Sequence, residues 1–84
     1  IEFDGMVLLD DVAEQLPIVF DDPEEDTIGG YVFGLLGRKP EIGDVVEISG
    51  YSFKVLRTEG FRVVRVLAVK LAQEPEQKEE QQDE

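Results

Sequence analysis

The sequence predicts an α+β domain in which two short helices are packed on one face of a small antiparallel sheet. Helical apolar spacing occurs within residues 6–16 and again within residues 28–36, and three strand-like segments separated by short turns follow between residues 44 and 71. A strand-like stub, "IEF", precedes the helices. Helices grouped before a run of strands are typical of the α+β class. The 84 residues suffice for one small domain.

The first helix is expected within "MVLLDDVAEQL", residues 6–16. Asp10 is the expected N-cap, and Glu14 lies where the first turn of a helix favours an acid. Pro17 is expected to end the helix, because the residue before a proline disfavours helical geometry. The positions predicted to face inward are Leu9, Val12 or Ala13, and Leu16.

The second helix is expected to begin after Asp26 or Thr27 and to run to about Leu36. Either residue can cap the helix through its side-chain oxygen. Gly37 fits the left-handed position that follows many helices, and Pro40 prevents the helix from resuming.

Strands are predicted at about 44–49, 51–58 and 61–71, joined by the turns Ser49-Gly50 and Thr58-Glu59-Gly60. The first two strands alternate apolar and polar residues, so one face of the sheet should be buried. The last strand does not alternate cleanly, and a β-bulge would reconcile its register. The apolar residues that interrupt the alternation are Val63, Val64, Val66 and Leu67.

Three glycines interrupt the second helix, and each costs about 0.5–1 kcal/mol against alanine. Gly29 and Gly34 have the spacing of a phosphate-binding loop, but Leu35-Leu36 occupy the places of its lysine and hydroxyl. We therefore reject that loop. Gly30 and Gly34 lie one turn apart, which predicts that a second backbone packs closely there. That backbone is either the chain's own sheet or a second copy.

The composition disfavours an enzyme. The chain has no cysteine and no histidine, and serine occurs only at Ser49 and Ser52. A disulfide framework, a thiolate metal site and a Ser-His-Asp triad are therefore excluded. No catalytic residue is predicted.

The net charge of −12 is distributed unevenly. Residues 1–36 contain ten acidic and no basic side chains, residues 37–72 contain seven basic and four acidic ones, and residues 73–84 contain six acids and one lysine. This balance repels nucleic acid, so no nucleic-acid partner is expected. We place the folded domain at residues 1–72 and predict that residues 73–84 form a disordered acidic tail.

Two charged clusters are candidate ligand sites. Arg57, Arg62 and Arg65, with Tyr51 and Phe61, could bind a nucleotide or an acidic peptide, or could simply form a solvated sheet face. The loop "DDPEEDT" offers oxygen ligands of the kind that Mg²⁺ and Ca²⁺ prefer. It lacks EF-hand spacing, and a solvated loop that caps the second helix is the favoured interpretation. The candidate metal ligands are Asp21, Asp22, Glu24, Glu25 and Asp26.

The order of these features resembles the transporter-associated domain, also called the CorC/HlyC domain. The resemblance rests on "LLDDVAEQL" at 8–16, "DTIGGYVFGLLGRKPEIGDVVEISGYSFKVL" at 26–56 and "RVVRV" at 62–66. Its most specific part is a helix with paired glycines, then L-G-R-x-P-x-x-G-D, then a G-hydrophobic-x-F strand. Together these segments cover nearly all of residues 1–72.

The resemblance implies a non-catalytic regulatory or interaction domain at the cytoplasmic face of the bacterial cell membrane. It implies a larger parent of the magnesium/cobalt efflux or haemolysin-like type, with CBS domains and a membrane domain as partners. A start at Ile1 also suggests a piece of a longer protein. FAD enters only because the family fold is related to a module of FAD-dependent enzymes. A homodimer, a weakly bound Mg²⁺ or Ca²⁺, and an adenine or flavin nucleotide remain alternatives.

Overall fold

The computed structural model describes residues 1–20 and 23–71 and confirms the α+β class. All pairs of neighbouring strands are antiparallel, and the sheet order is β1-β4-β3-β2. The final strand, β4, therefore lies in the interior of the sheet, between β1 and β3. The elements in chain order are β1 (Glu2–Asp4), α1 (Leu9–Gln15), α2 (Ile28–Leu36), β2 (Val45–Ile48), β3 (Tyr51–Glu59) and β4 (Arg62–Lys70).

Helix α1 begins earlier than expected, and the prediction that Asp10 caps it is wrong. The N-cap is Leu8, which makes no side-chain capping bond. The start is set instead by a tertiary contact, because the Leu9 amide donates to the Asp26 carbonyl at 2.9 Å. Asp10 lies in the first turn, where a negative charge favours the helix dipole. The helix ends at Gln15, before Pro17, as predicted.

Helix α2 has the predicted cap at each end. The Gly30 amide donates to the Thr27 hydroxyl oxygen at 3.2 Å, which makes Thr27 rather than Asp26 the N-cap. Gly37 has a φ of 68°, and its amide donates to the Phe33 carbonyl at 3.1 Å. Glycine suits this left-handed position because a Cβ would be strained there.

The two hairpin turns are both two residues long. Ser49-Gly50 has φ values of 49° and 86°, as expected for a type I′ turn. The second turn is Gly60-Phe61, because Glu59 pairs with Arg62. The prediction that Thr58 and Glu59 belong to that turn is therefore wrong; both residues extend β3.

The predicted bulge in the last strand is confirmed, and it has a counterpart on the neighbouring strand. Val55 pairs with Val66 and Arg57 with Arg65, which leaves Leu56 unpaired. The next pair is Thr58 with Val63, which leaves Val64 unpaired on β4. The two irregularities compensate each other, and the register beyond them is restored.

The helices and the sheet enclose one core. Of the two alternatives in α1, Val12 is fully buried, whereas Ala13 is exposed. Among the described residues no polar or charged side chain is buried, so the interior of the described domain is entirely apolar. The buried hydrophobic residues are Phe3, Leu9, Val12, Leu16, Ile18, Ile28, Val32, Ile48, Phe53, Val55, Val63, Val66 and Ala68.

Candidate functional site

The close backbone contact predicted from the glycines exists, but at a different residue. A Cβ on Gly29 would lie 2.6 Å from the Val63 carbonyl oxygen and 2.8 Å from the Gly5 carbonyl oxygen. A Cβ on Gly34 would meet nothing within 4 Å. A Cβ on Gly30 would lie 2.8 Å from the Glu25 carboxylate and 3.2 Å from the Thr27 hydroxyl, which are both side-chain atoms. The assignment to Gly30 and Gly34 is therefore wrong. Gly29 packs against the chain's own sheet and the turn after β1.

The first amides of α2 already form hydrogen bonds within the chain. The Ile28 amide donates to the Val7 carbonyl at 2.9 Å, and the Gly29 amide donates to the Gly5 carbonyl at 2.9 Å. The next amide, that of Gly30, donates to the Thr27 hydroxyl. A phosphate bound at a helix N-terminus needs such amides to be free. The glycines therefore do not form a phosphate cradle, in agreement with the sequence argument.

A groove of about 350 Å³ lies between α2 and the tip of the β3–β4 hairpin. We call it the hairpin groove; Gly29 and Gly30 of α2 line it, together with Phe33, Phe61 and Val63. Phe61 is 63% exposed, and its ring meets that of Phe33 edge to face with centroids 6.4 Å apart. An aromatic ring held at the edge of an apolar groove is typical of surfaces that bind other proteins.

Charged side chains surround the hairpin groove. Arg62 and Glu59 also line it and form an ion pair at 3.3 Å, with about 60% of both side chains exposed. The Lys39 ammonium lies 5.8 Å from the centroid of the Phe61 ring. Exposed ion pairs contribute little to stability, so both members can exchange to another partner at small cost.

The structure separates the predicted arginine cluster. Arg57 and Arg65 are cross-strand neighbours, and Arg65 forms an ion pair with Glu2 at 3.3 Å. Arg62 lies at the end of the hairpin beside Glu59. Tyr51 begins β3 and packs against the core, whereas Arg57 lies near the other end of β3, close to the turn that leads to Arg62. The combined arginine and Tyr51 patch is therefore not formed, although Arg57 and Arg65 do place two cations side by side.

The sheet face opposite the helices carries apolar side chains among charged ones. Strand register aligns Val45, Lys54, Leu67 and Glu2 in one row across it. Val45 of this row is about half exposed, and so is Val69, which pairs with Ser52 in the next outward-facing row. Sequence alternation indicated a solvated face, but it gave no sign that apolar residues from different strands align on it. We call the face formed by these residues and the Arg57–Arg65 pair the outer sheet face.

The acidic loop is described only in part, because Asp21 and Asp22 lie outside the described residues. Glu24, Glu25 and Asp26 are exposed. Asp10, Glu25 and Asp26 contribute to the lining of a shallow pocket of about 340 Å³. Within residues 1–20 and 23–71, no three acidic side chains are grouped closely enough to hold a metal ion.

The motif L-G-R-x-P-x-x-G-D has a structural explanation. Arg38 makes two hydrogen bonds to the Asp44 carboxylate, at 2.8 and 3.0 Å, and the Glu41 amide donates to the same carboxylate at 2.8 Å. These bonds lower the pKa of Asp44, mainly through Arg38, and raise the pKa of Arg38. The arginine and aspartate of the motif thus close the loop between α2 and β2.

Comparison with known protein families identifies the group to which this fold belongs. Residues 1–72 match the model of the CorC_HlyC family, described as a transporter associated domain. The chain belongs to this family. The match covers every strand and both helices described above, so the resemblance noted in the sequence is confirmed.

Characterised relatives of this CorC_HlyC domain are much longer proteins. It is 39% identical over 60 residues to the magnesium and cobalt efflux protein CorC of Vibrio cholerae, covering 71% of this chain and 21% of the relative. It is 43% identical over 58 residues to hemolysin C of Brachyspira hyodysenteriae, covering 69% of this chain and 21% of the relative. The chain thus spans about a fifth of the length of the curated relatives it matches.

Solved structures show the same fold. A CorC_HlyC domain from Haemophilus ducreyi superposes with a TM-score of 0.78 at 29% identity, covering 87% of this chain and 89% of that one. A CorC_HlyC domain from a Xylella fastidiosa hemolysin, in complex with Mg²⁺ and Mn²⁺, superposes with a TM-score of 0.75 at 21% identity, covering 84% and 86%. Within the described residues, neither helix has the length and apolar character needed to cross a bilayer.

Proposed function

We propose that this CorC_HlyC domain is a non-catalytic interaction module of a larger magnesium/cobalt efflux or haemolysin-type protein. In this proposal it modulates ion transport by contacting the CBS domains or the membrane domain of its parent, at the cytoplasmic face of the bacterial membrane. The names of the relatives support the transport context, and their fivefold greater length leaves room for other domains.

The outer sheet face is the observation that carries the proposal. Val45 is 53% exposed and Val69 is 48% exposed, while Leu67, two positions before Val69 on β4, is half-buried. This face carries the bases Lys54, Arg57 and Arg65 against the acids Glu2 and Glu47, a slight excess of cations in a chain whose net charge is −12. Apolar side chains interspersed with charges, of which more are basic than acidic, fit a protein surface that carries apolar residues and carboxylates.

Several features support a role without catalysis. The chain lacks cysteine and histidine. The amides at the start of α2 are already bonded within the fold, so they do not offer an oxyanion or phosphate site. The interior of the described part is apolar, whereas catalytic acids and bases usually lie in polar, partly buried clefts.

A titration of the isotope-labelled domain with the separately expressed cytoplasmic part of its parent tests the proposal. We expect amide shifts concentrated on β2, β3 and β4 at outward-facing positions. Val69→Asp should weaken binding by at least about tenfold, since it places a charge in an apolar contact. Val19→Asp is the matched control, because Val19 is 81% exposed and lies in the loop between the helices.

The same variants connect binding to transport in the intact parent protein. Val69→Asp should change Mg²⁺ efflux while the amount of protein in the membrane stays constant, and Val19→Asp should change neither. An intact parent in which Val69→Asp leaves both domain binding and efflux at their original values would refute the role of this face.

A second candidate function is weak binding of a divalent cation at the acidic loop. The Xylella fastidiosa domain in complex with Mg²⁺ and Mn²⁺ supports it. Asp10, Glu25 and Asp26 line one pocket, and their carboxylates would have to approach one another to hold an ion together. Calorimetric titration with MgCl₂ and CaCl₂ should give heat that Glu25→Gln reduces and the control Glu47→Gln preserves. Absence of heat would remove this candidate. Titration with ATP and FAD tests the nucleotide hypothesis for Arg57, Arg62 and Arg65 in the same way.

A further inference from the structure

We propose that the hairpin groove is a self-association site, in which two copies of this chain pair about a two-fold axis. In this arrangement Phe61 of each copy enters the hairpin groove of the other. The inference uses a different surface from the proposed function, so either can fail without the other.

The shape of the groove provides a place for an aromatic ring. Gly29 and Gly30 have no side chains, and they open the groove toward α2, while Phe33 and Val63 supply apolar walls. Phe61 forms the outer wall of the groove, edge to face with Phe33, and leaves 63% of its surface exposed to a second copy. In a two-fold pair the same patch lies on both sides of the interface, so a patch with one projecting ring and one recess can match itself.

The charges around the groove favour a second copy over a partner of one charge sign. Glu59 and Arg62 lie side by side on the rim, Lys39 lies near Phe61, and Glu25 approaches Gly30. These four side chains are two acids and two bases, whereas residues 1–36 of the chain carry only acids. An acidic or a basic peptide would meet repulsion from half of the rim. A second copy places Glu59 opposite Arg62 in both directions.

The size of the groove indicates that the pair is weak. A recess of about 350 Å³ receives one aromatic side chain, and stable interfaces usually bury well over 1,000 Å² in total. The overall charge of −12 also opposes association, although physiological salt screens charges beyond about 8 Å. We therefore expect a dimer that forms at high concentration, as suits a module held at high local concentration in a larger assembly.

Sedimentation equilibrium of the 84-residue chain, from micromolar to millimolar concentration, tests the proposal. We expect a monomer–dimer equilibrium in physiological salt. Phe61→Ser should weaken dimerisation roughly thirtyfold, since it removes the central anchor of the interface. Val19→Ser is the matched control, because Val19 is also highly exposed but lies near Ser49, at the opposite end of the β3–β4 hairpin.

A charge exchange separates a two-fold pair from other modes of association. Glu59→Arg alone and Arg62→Glu alone should each abolish dimers, because each places like charges opposite one another. A mixture of the two single variants should form heterodimers, and the double variant should form homodimers again. Circular dichroism checks that each variant is folded. The mixing experiment uses only the two single variants, so any dimer in it is formed by the altered chains.

Three outcomes would overturn the proposal. They are a strict monomer at every concentration, a dimer that Phe61→Ser leaves intact, and failure of the two single-charge variants to pair when mixed. A dimer that resists Phe61→Ser but is lost with Val69→Asp would assign self-association to the outer sheet face instead.

Discussion

Replacing Gly29 with alanine gives the sharpest test of how the layers are packed. The new Cβ would lie 2.6 Å from the Val63 carbonyl oxygen, 2.8 Å from the Gly5 carbonyl oxygen and 3.0 Å from the Gly5 Cα. All three atoms belong to the backbone, so no side-chain rotation can relieve the contact. The Gly29 amide also donates to Gly5 at 2.9 Å, and a retreating helix would stretch that bond.

The expected magnitude follows from two opposing terms. Ordinary van der Waals contact begins at 3.4 Å, so α2 would have to retreat by about 0.8 Å. Overpacking of this kind costs about 1–3 kcal/mol, and a rigid backbone neighbour favours the upper end. Alanine returns about 0.5–1 kcal/mol through its higher helix propensity. We expect the free energy of unfolding to fall by about 2 kcal/mol, which lowers Tm by roughly 8–16 °C in a domain of this size.

Gly34→Ala is the matched control, because it makes the same chemical change in the same helix. A Cβ at Gly34 meets nothing within 4 Å, so only the propensity gain remains. Its free energy of unfolding should rise by about 0.5–1 kcal/mol. Urea and thermal unfolding, followed by far-UV circular dichroism, measure both variants. Equal stability of the two variants, or a more stable Gly29→Ala, would refute the packing argument.

Two further predictions concern the ends of α2. Thr27→Ala removes the oxygen that accepts from the Gly30 amide and should lower the free energy of unfolding by about 1 kcal/mol, as measured by urea denaturation. Thr27→Ser retains a hydroxyl at the cap and should keep most of the original stability. The bonds with Arg38 make the pKa of Asp44 lower in the folded chain than in the unfolded chain. They therefore stabilise the fold at pH values above the unfolded pKa, and this stabilisation is lost as the pH falls through the folded pKa. Arg38→Ala should therefore lower stability near neutral pH and flatten its decline in acid; curves parallel to those of the parent chain would contradict this.

Features set by a few neighbouring residues could be predicted from the sequence. Thr27 caps α2, Gly37 takes the left-handed position and Pro17 limits α1, because each effect depends on local backbone chemistry. The interrupted alternation around Val64 also predicted a bulge correctly, since a strand with one buried face must alternate.

Features set by contacts between distant segments could not be predicted in the same way. Spacing shows that Gly30 and Gly34 share one side of α2, but it does not say which side meets the sheet. That choice depends on the turn at Gly5, which is distant in sequence and accepts the Gly29 amide. Asp10 failed as a cap for a similar reason, because a backbone bond to Asp26 fixes the start of α1.

The candidate site also depends on contacts between segments that are distant in the sequence. The arginines were correctly located on the last hairpin, but the grouping with Tyr51 ignored the length of β3, whose opposite end holds Tyr51. The hairpin groove combines α2 with the tip of a hairpin about 30 residues later, and no short motif marks such a meeting. Asp21 and Asp22 lie outside the described residues, so the complete acidic loop stays a prediction.

The pairing of β1 with β4 has a mechanical consequence. The Ile1 nitrogen donates to the Ala68 carbonyl at 3.1 Å, as a peptide amide at that position also can, and the Ala68 amide donates back to the Ile1 carbonyl at 2.7 Å. A segment joined to Ile1 and one joined to Leu71 would leave from the same corner of the sheet. Tension between these segments would break the hydrogen bonds between β1 and β4 one after another, instead of loading all of them at once as in shear. Force on that corner would therefore detach β1 while the β2–β3–β4 meander stayed assembled.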